Sequence, residues 1–444
     1  MMVLATKQTA ASPGHDEDYA TVAVPDSGRT HWSRPMFALS GFATALFYMQ
    51  VGSIITIQFG VRVALVAIAY GAILGALFGG VIARQAIRTG CGTNLLARCL
   101  LGARGSALFS VMMGLTTLTY FVAEASIMGA ALHSAVPAIS TVVFLGSIGI
   151  VMVPMLWFGM RLLARIQAGT LIVYVVLVAA AIAIVAGGAR GGSAPLPPLD
   201  EPRFGPAVVA ALGIMNGIVF VTALIVADFA RFVDRAQERA GVLALGVAFP
   251  LLCFAAAGIL GMVFSLHLGE ANPGIYFVRI LGIWGTLFAV ATQLRINLSN
   301  MYLGSLAFAN AALQTVMVAI PQRLVVCLFA LAATLILLLD LTPYLTEALT
   351  WIGLFMTSFT VLLVTRFALD RTSGAGSSVD ESTLEWCRLE LACLIGSTLV
   401  GALLLAGLAG LSLQSVAVLV AAILTALSYA LFAGKQRAAR VVTG

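Results

Sequence analysis

The stretch from Ser106 to Leu132, SALFSVMMGLTTLTYFVAEASIMGAAL, carries a single charged side chain, Glu124, in a run that is otherwise apolar or small. Such a run exceeds the ~20 residues a helix needs to cross the hydrocarbon core of a bilayer. Eleven others bounded by charges, Gly or Pro flank it, so twelve spans are expected. Before it lie Pro35 to Phe59 and Val63 to Ala83; after it come Thr141 to Met160, Ala168 to Gly187, Pro206 to Ala227, Gly241 to Leu268, Leu281 to Phe308, Leu324 to Leu339, Leu345 to Thr365, Leu389 to Leu411 and Ser415 to Ala433. The composition agrees: 61% hydrophobic, 9% charged and a mean hydropathy of +1.05 leave too few charges to cover a water-soluble surface. A soluble enzyme is excluded, and so is a membrane β-barrel, which shows short alternating segments. The net charge of +6 does not signal nucleic acid, because the basic residues sit in short loops between apolar runs.

An even number of spans places both termini on one side. With both inside, 19 of the 24 Lys and Arg residues fall in cytoplasmic segments; Arg62, Arg190, Arg203 and Arg279 fall outside and Arg295 lies within a span. This is the inside-positive bias of a multi-pass protein of the cell (plasma or inner) membrane, with the lipid bilayer as its surroundings. The expected organisation is a cytoplasmic tail (1–34), a first five-helix repeat (35–187), an external linker (188–205), a second repeat (206–369), a cytoplasmic linker (370–385), two accessory helices (386–433) and a C-terminal tail (434–444). The first tail has no apolar core and is not a signal peptide. Six cysteines without CxxC or histidine spacing indicate neither a metal site nor a disulfide framework. No nucleotide-binding loop, catalytic constellation or cofactor motif is present, and no added signalling domain supports a receptor that binds without transporting.

Ionisable groups inside lipid are costly, so Glu124 and Arg295 are the first candidates for function. Thr117, Tyr120 and Glu124 fall at i, i+3 and i+7, on one face of a helix. Arg295 lies in the polar stretch Thr292, Gln293, Leu294, Arg295, Ile296, Asn297, Leu298, Ser299, Asn300, which must be sheltered from lipid. The two charges could form a buried ion pair that only fixes packing, Glu124 could be protonated and hydrogen-bonded, or both could line a mid-membrane substrate or ion site. Gln50, Gly52 and Ser53 interrupt the first span, and Asn216, Gly217 and Thr222 the sixth. Either both helices break there to expose backbone to a ligand or the small residues allow close helix packing.

Several segments together resemble the nucleobase:cation symporter (purine/cytosine permease) family, in its bacterial cytosine permease branch. These are Asp18-Tyr19-Ala20 with Val24-Pro25; the loop Thr89-Gly90-Cys91-Gly92-Thr93-Asn94-Leu95-Leu96-Ala97-Arg98 followed by Gly102-Ala103-Arg104-Gly105-Ser106; Ala227-Asp228-Phe229-Ala230-Arg231-Phe232; and Tyr302 to Asn310. The resemblance implies an all-α LeuT-like fold of two inverted five-helix repeats plus two helices, working by alternating access. It also implies a nucleobase or related nitrogen heterocycle as the imported substrate, held between broken first and sixth helices and the third and eighth. Asp228 and Arg231 are read as gating or structural, at a solvated helix end.

The chain departs from the branch's pattern at the implied site. Thr117 and Tyr120 stand for Gln and Trp, Glu124 for Gly, Leu46 for Ser, Val219 for Phe and Thr292 for Asn, so cytosine itself loses most of its expected partners. Arg295 and Ile296 align with the hydroxyl pair that would bind sodium, and a guanidinium offers only donors. The expected coupling ion is therefore a proton rather than sodium. Expected roles are stacking by Tyr120, hydrogen bonding or proton exchange by Glu124, ion coupling by Glu124 and Arg295, and further substrate contacts from Gln50, Thr117, Thr222, Thr292 and Asn297. The competing readings are a different small polar or cationic metabolite on the same scaffold, or a non-transporting receptor.

Overall fold

The computed structural model describes residues 22–157, 160–188, 204–318, 320–339, 344–372, 385–408, 414 and 416–443. The Asp18-Tyr19-Ala20 segment and most of both linkers lie outside them. In lipid each backbone amide must be satisfied within its own segment, and these apolar runs accordingly form helices. We number them α1 (Ser33–Ala43), α2 (Leu46–Phe59), α3 (Val61–Thr89), α4 (Thr93–Leu101), α5 (Ser106–Ala135), α6 (Thr141–Trp157), α7 (Met160–Ala186), α8 (Phe204–Ala230), α9 (Arg235–Leu268), α10 (Pro273–Leu281), α11 (Ile283–Val316), α12 (Gln322–Leu338), α13 (Leu345–Thr372), α14 (Arg388–Leu405) and α15 (Ala417–Thr443).

Each of the twelve apolar runs lies on one or more of these helices. Among the described residues, however, seven helices are long and apolar enough to cross a membrane, or eight if the bent pair α1 and α2 counts as one span. Of the others, α6 and α12 have shorter apolar parts, the side chains of α7 are described only from Leu171 on, and α11 carries the polar run from Thr292 to Asn300. The centre and the periphery are well separated: 72% of the apolar window of α5 and of α8 is buried, against 28% for α14 and 33% for α15. α14 and α15 are thus the more exposed flank of the bundle, while Glu124 and Arg295 are carried by α5 and α11.

α5 and α11 run antiparallel through the interior. Glu124 bonds Gln293 near one end of the seam, Gly114 packs under the Phe308 ring, and Asn310 donates to Ser110 at 2.8 Å near the other end. The last bond gives the segment from Tyr302 to Asn310 its role, which is to pin the seam.

The loop between α3 and α4 works in the same way. Gly90 closes α3 in the left-handed region (φ +74°), and its carbonyl accepts from the Val24 N–H at 2.9 Å. Gly92, which has no side chain to cap α4, leaves room for Asp228 from α8, which accepts from the Thr93 N–H at 2.8 Å and the Thr93 hydroxyl at 2.9 Å. This corrects the reading of Asp228 as part of a solvated terminus: it caps another helix, and the Thr93 hydroxyl also donates to the Leu224 carbonyl at 2.7 Å. Arg29, its side chain 2% exposed, donates to the Ile87 and Val233 carbonyls, so the segment before α1 is tied across the same end.

Candidate functional site

The first span breaks at Thr44 and Ala45. Ala45 is extended (φ −61°, ψ 127°) and α1 meets α2 at a bend of 44°. A break inside a membrane leaves carbonyls at the end of one half and N–H groups at the start of the other without helical partners. The Ala45 methyl cannot accept a hydrogen bond, so α2 has no side-chain cap from its own N-cap residue. The Tyr120 ring, one turn before Glu124 on α5, packs against Phe47 in this first turn of α2. At the other side of the break the Arg295 guanidinium donates to the Gly41 carbonyl at 2.8 Å, which also accepts from the Thr44 hydroxyl at 2.8 Å. Positive charge at a helix C-terminus complements the helix dipole. Glu124 and Arg295, 2% and 1% exposed, are both buried and act on each other electrostatically.

Glu124 is held in place by Gln293, whose side-chain N–H₂ donates both to the Glu124 carboxylate and to its backbone carbonyl, the latter at 3.2 Å. Sequence reasoning did not single out Gln293. The available signal was its position in the polar run of α11, one helical turn before Asn297. Gln50 Oε1, Gln293 Oε1 and both amide atoms of Asn297 are buried and lack hydrogen-bond partners, and an orphaned polar atom costs about 1–3 kcal/mol.

Tyr120 joins this group: its ring centroid is 5.4 Å from that of Phe47, and its hydroxyl donates to the Gly217 carbonyl at 2.6 Å. Thr222 pairs with the Tyr48 hydroxyl at 3.0 Å. Thr117 and Thr292 do not turn their donors to the site, because each bonds carbonyls of its own helix, Thr117 to Met113 and Gly114 and Thr292 to Phe288 and Ala289.

The breaks expected at Gln50 to Ser53 and at Asn216 to Thr222 are not there. α2 is helical through Gln50, Gly52 and Ser53, and α8 is helical from Phe204 to Ala230. The small residues serve close packing: a Cβ on Gly52 would overlap the Gly258 backbone, and one on Gly217 would overlap the Leu349 carbonyl. The Asn216 side chain accepts from the Tyr70 hydroxyl at 2.6 Å.

Residues 23–373 match the family described as permeases for cytosine/purines, uracil, thiamine and allantoin. The chain belongs to that family. Among solved structures, the permease matches Mhp1 in an inward-facing conformation, at 18% identity over 93% of both chains with a TM-score of 0.71. It also matches Mhp1 described as a nucleobase-cation-symport-1 family transporter in a closed conformation with bromovinylhydantoin bound, at 17% identity over 92% of this chain and 93% of that one, TM-score 0.66. A manganese transporter of Eremococcus coleocola matches at 16% identity over 93% and 98% of the two chains, TM-score 0.52. No curated protein matches the chain by sequence at a significant level. The permease is thus an all-α, multi-pass membrane transporter with the LeuT-like fold of Mhp1, and its relatives are transporters rather than enzymes.

A cavity of about 570 Å³ in the permease lies elsewhere. Its walls include Leu115, Val122, Ile336, Trp351, Phe355 and Ala402 and are almost wholly apolar. On α5 these residues occupy the face opposite Thr117, Tyr120 and Glu124, so the helix separates an apolar chamber from the polar break.

Proposed function

We propose that the chain is a secondary active transporter that imports a nucleobase or related nitrogen heterocycle by alternating access, coupled to protons and independent of sodium. The observation that carries this is the Phe47 and Tyr120 ring pair beside the bonded Glu124 and Gln293, together with the buried, unpartnered amide atoms of Gln50 on α2 and Asn297 on α11. Aromatic faces with unpartnered amide atoms suit a small planar ring carrying N–H and C=O groups, which is the chemistry the family description names. Tyr120 stacks on the ring, Gln50 and Asn297 meet its polar edge, and Thr222 shapes the α8 side. Thr117 and Thr292 contribute only if they release their own backbone carbonyls.

Sodium independence is supported by Arg295, whose guanidinium has donors and no acceptor and bonds the Gly41 carbonyl at the end of α1. Glu124 is then the group that carries the proton. In this reading both termini are cytoplasmic, the twelve runs are twelve crossings of the cell membrane, and the two five-helix repeats and accessory pair have the boundaries given above. A buried carboxylate also favours a cationic amine on the same scaffold, and one experiment separates the two. Cells expressing the protein are given labelled pyrimidines, purines, hydantoins and amines. Accumulation of a ring, competed by other rings, supports the proposal. Accumulation of amines alone replaces it.

A further inference from the structure

We infer that the apolar cavity behind α5 is a lipid site, which takes one acyl chain of a bilayer phospholipid with an ammonium-bearing headgroup. The inference rests on the membrane fold and is independent of the substrate. The cavity, of about 570 Å³, is walled by α5, α12, α13 and α14. Its wall on α5 covers residues 112–123, and its wall on α13 and the turn before it covers residues 344–355. At ~1.5 Å per residue each wall is about 16 Å long. That is the depth of one leaflet, half of a hydrocarbon core of ~30 Å. Protein interiors pack as densely as organic crystals, and side chains facing unfilled space forfeit dispersion contacts. Water is a poor filler here, because a buried water needs several polar partners. The Thr119 hydroxyl already bonds the Leu115 carbonyl at 3.0 Å, and Thr398 offers one unpaired hydroxyl.

What surrounds the cavity decides the filler. It is open to the outside, its wall residues Leu115 and Trp351 are 42% and 40% exposed, and the adjoining surface of α14 presents Leu399 and Leu403. In a membrane-spanning bundle such a surface meets acyl chains. One end selects the headgroup. The apolar run of α13 begins at Leu345, so the exposed Tyr344 marks the membrane surface at that end, where tyrosine rings sit at headgroup level. Glu347, exposed and three residues further on, shares its face and is the acidic residue of the first turn. A carboxylate there attracts an ammonium headgroup and repels a free fatty acid, whose own carboxylate would lie at the same level. α13 also packs Gly353 on the backbone of Asn216 and Gly217, so a chain that braces α13 braces α8 as well.

The test needs no transport. Full-length wild type is purified in detergent beside Ala402→Phe and Ala348→Phe, which place a ring in the cavity, and Leu399→Phe, which changes the outer face of α14. Native mass spectrometry counts the phospholipid that survives delipidation, and melting temperature is followed as dioleoyl phosphatidylethanolamine is added back. Wild type and Leu399→Phe are expected to retain one phospholipid and to melt several degrees higher when it is restored. Both cavity variants are expected to lose that phospholipid and at least half of the response. Equal retention and equal response in all four proteins overturn the site. Where the cavity variants do not fold, wild type decides alone. A diazirine on the acyl chain of phosphatidylethanolamine should crosslink to residues 112–123 and 344–355, and labelling confined to other surfaces overturns the site. Sodium oleate is expected neither to be retained nor to raise the melting temperature; oleate that matches the phospholipid overturns the choice of headgroup. A cavity variant that turns a dimer into a monomer with bound lipid unchanged makes this face a contact between copies and overturns the lipid site.

Discussion

The first and sixth spans carry the same sequence signature, a glycine beside polar side chains in an apolar run, and they end up differently. α1 and α2 bend at Thr44 and Ala45, where neither Gly nor Pro occurs, while α8 continues as one unbroken helix through Asn216 and Gly217. What differs is the company each keeps. The first break finds Arg295 on the Gly41 carbonyl and the Tyr120 ring against Phe47. The polar groups of α8 are already matched by tyrosines, Asn216 by Tyr70 and the Gly217 carbonyl by Tyr120, and Gly217 itself is needed for contact with Leu349. In lipid a helix breaks where partners exist for the freed backbone groups, which need not be where its own residues look weakest.

The largest expected effect is at the broken span. Arg295→Ala removes the positive charge near the buried Glu124 and leaves the Gly41 carbonyl with the Thr44 hydroxyl as its remaining donor, a loss of up to about 3–5 kcal/mol. Melting in detergent should show it, with Arg295→Lys recovering part; a variant that melts with wild type would mean the break holds without the guanidinium. The unbroken span comes next. Gly217→Val places side-chain atoms on the Leu349 carbonyl and is expected to cost about 1–3 kcal/mol. Gly213→Ala, one turn earlier on α8, meets nothing closer than a Thr350 methyl at 3.8 Å and should cost nothing. Equal penalties at the two glycines would show that helix continuity, rather than contact with α13, is at stake.

Tyr120→Phe, which links the two spans, removes one hydrogen bond worth about 0.5–1.5 kcal/mol and keeps the ring against Phe47. Ring uptake should persist with a few-fold change in KM, and its abolition would give the hydroxyl a role beyond Gly217. The smallest effect belongs to the far face of α5. The Thr119 hydroxyl bonds the Leu115 carbonyl of its own helix, so Thr119→Val should stay within about 0.5 kcal/mol of wild type and leave uptake unchanged.

The membrane class and the apolar helices were legible because apolar length is a one-dimensional property. Glu124 and Arg295 were legible because charge inside lipid needs a reason. Gln293 was not, since one amide among Thr292, Asn297, Ser299 and Asn300 looks like shelter for Arg295 until its bond to Glu124 is seen. The position of the break was hidden as well, because it is set by side chains from α5 and α11, far away in sequence. Glycines misled at Gly52 and Gly217 for the same reason that Gly90 and Gly92 were informative only in outline: each marks a close approach, and the sequence does not say to what.

In the proposed mechanism a proton does the work of sodium, with Arg295 holding the Gly41 carbonyl at the break of the first span. The most direct test is ring uptake into proteoliposomes of the purified protein, driven either by an inward proton gradient or by an inward sodium gradient at equal membrane potential. Accumulation is expected with the proton gradient alone, lost in Glu124→Gln and unaffected by replacing sodium with potassium. Accumulation driven by sodium at constant pH, and retained in Arg295→Ala, would contradict it.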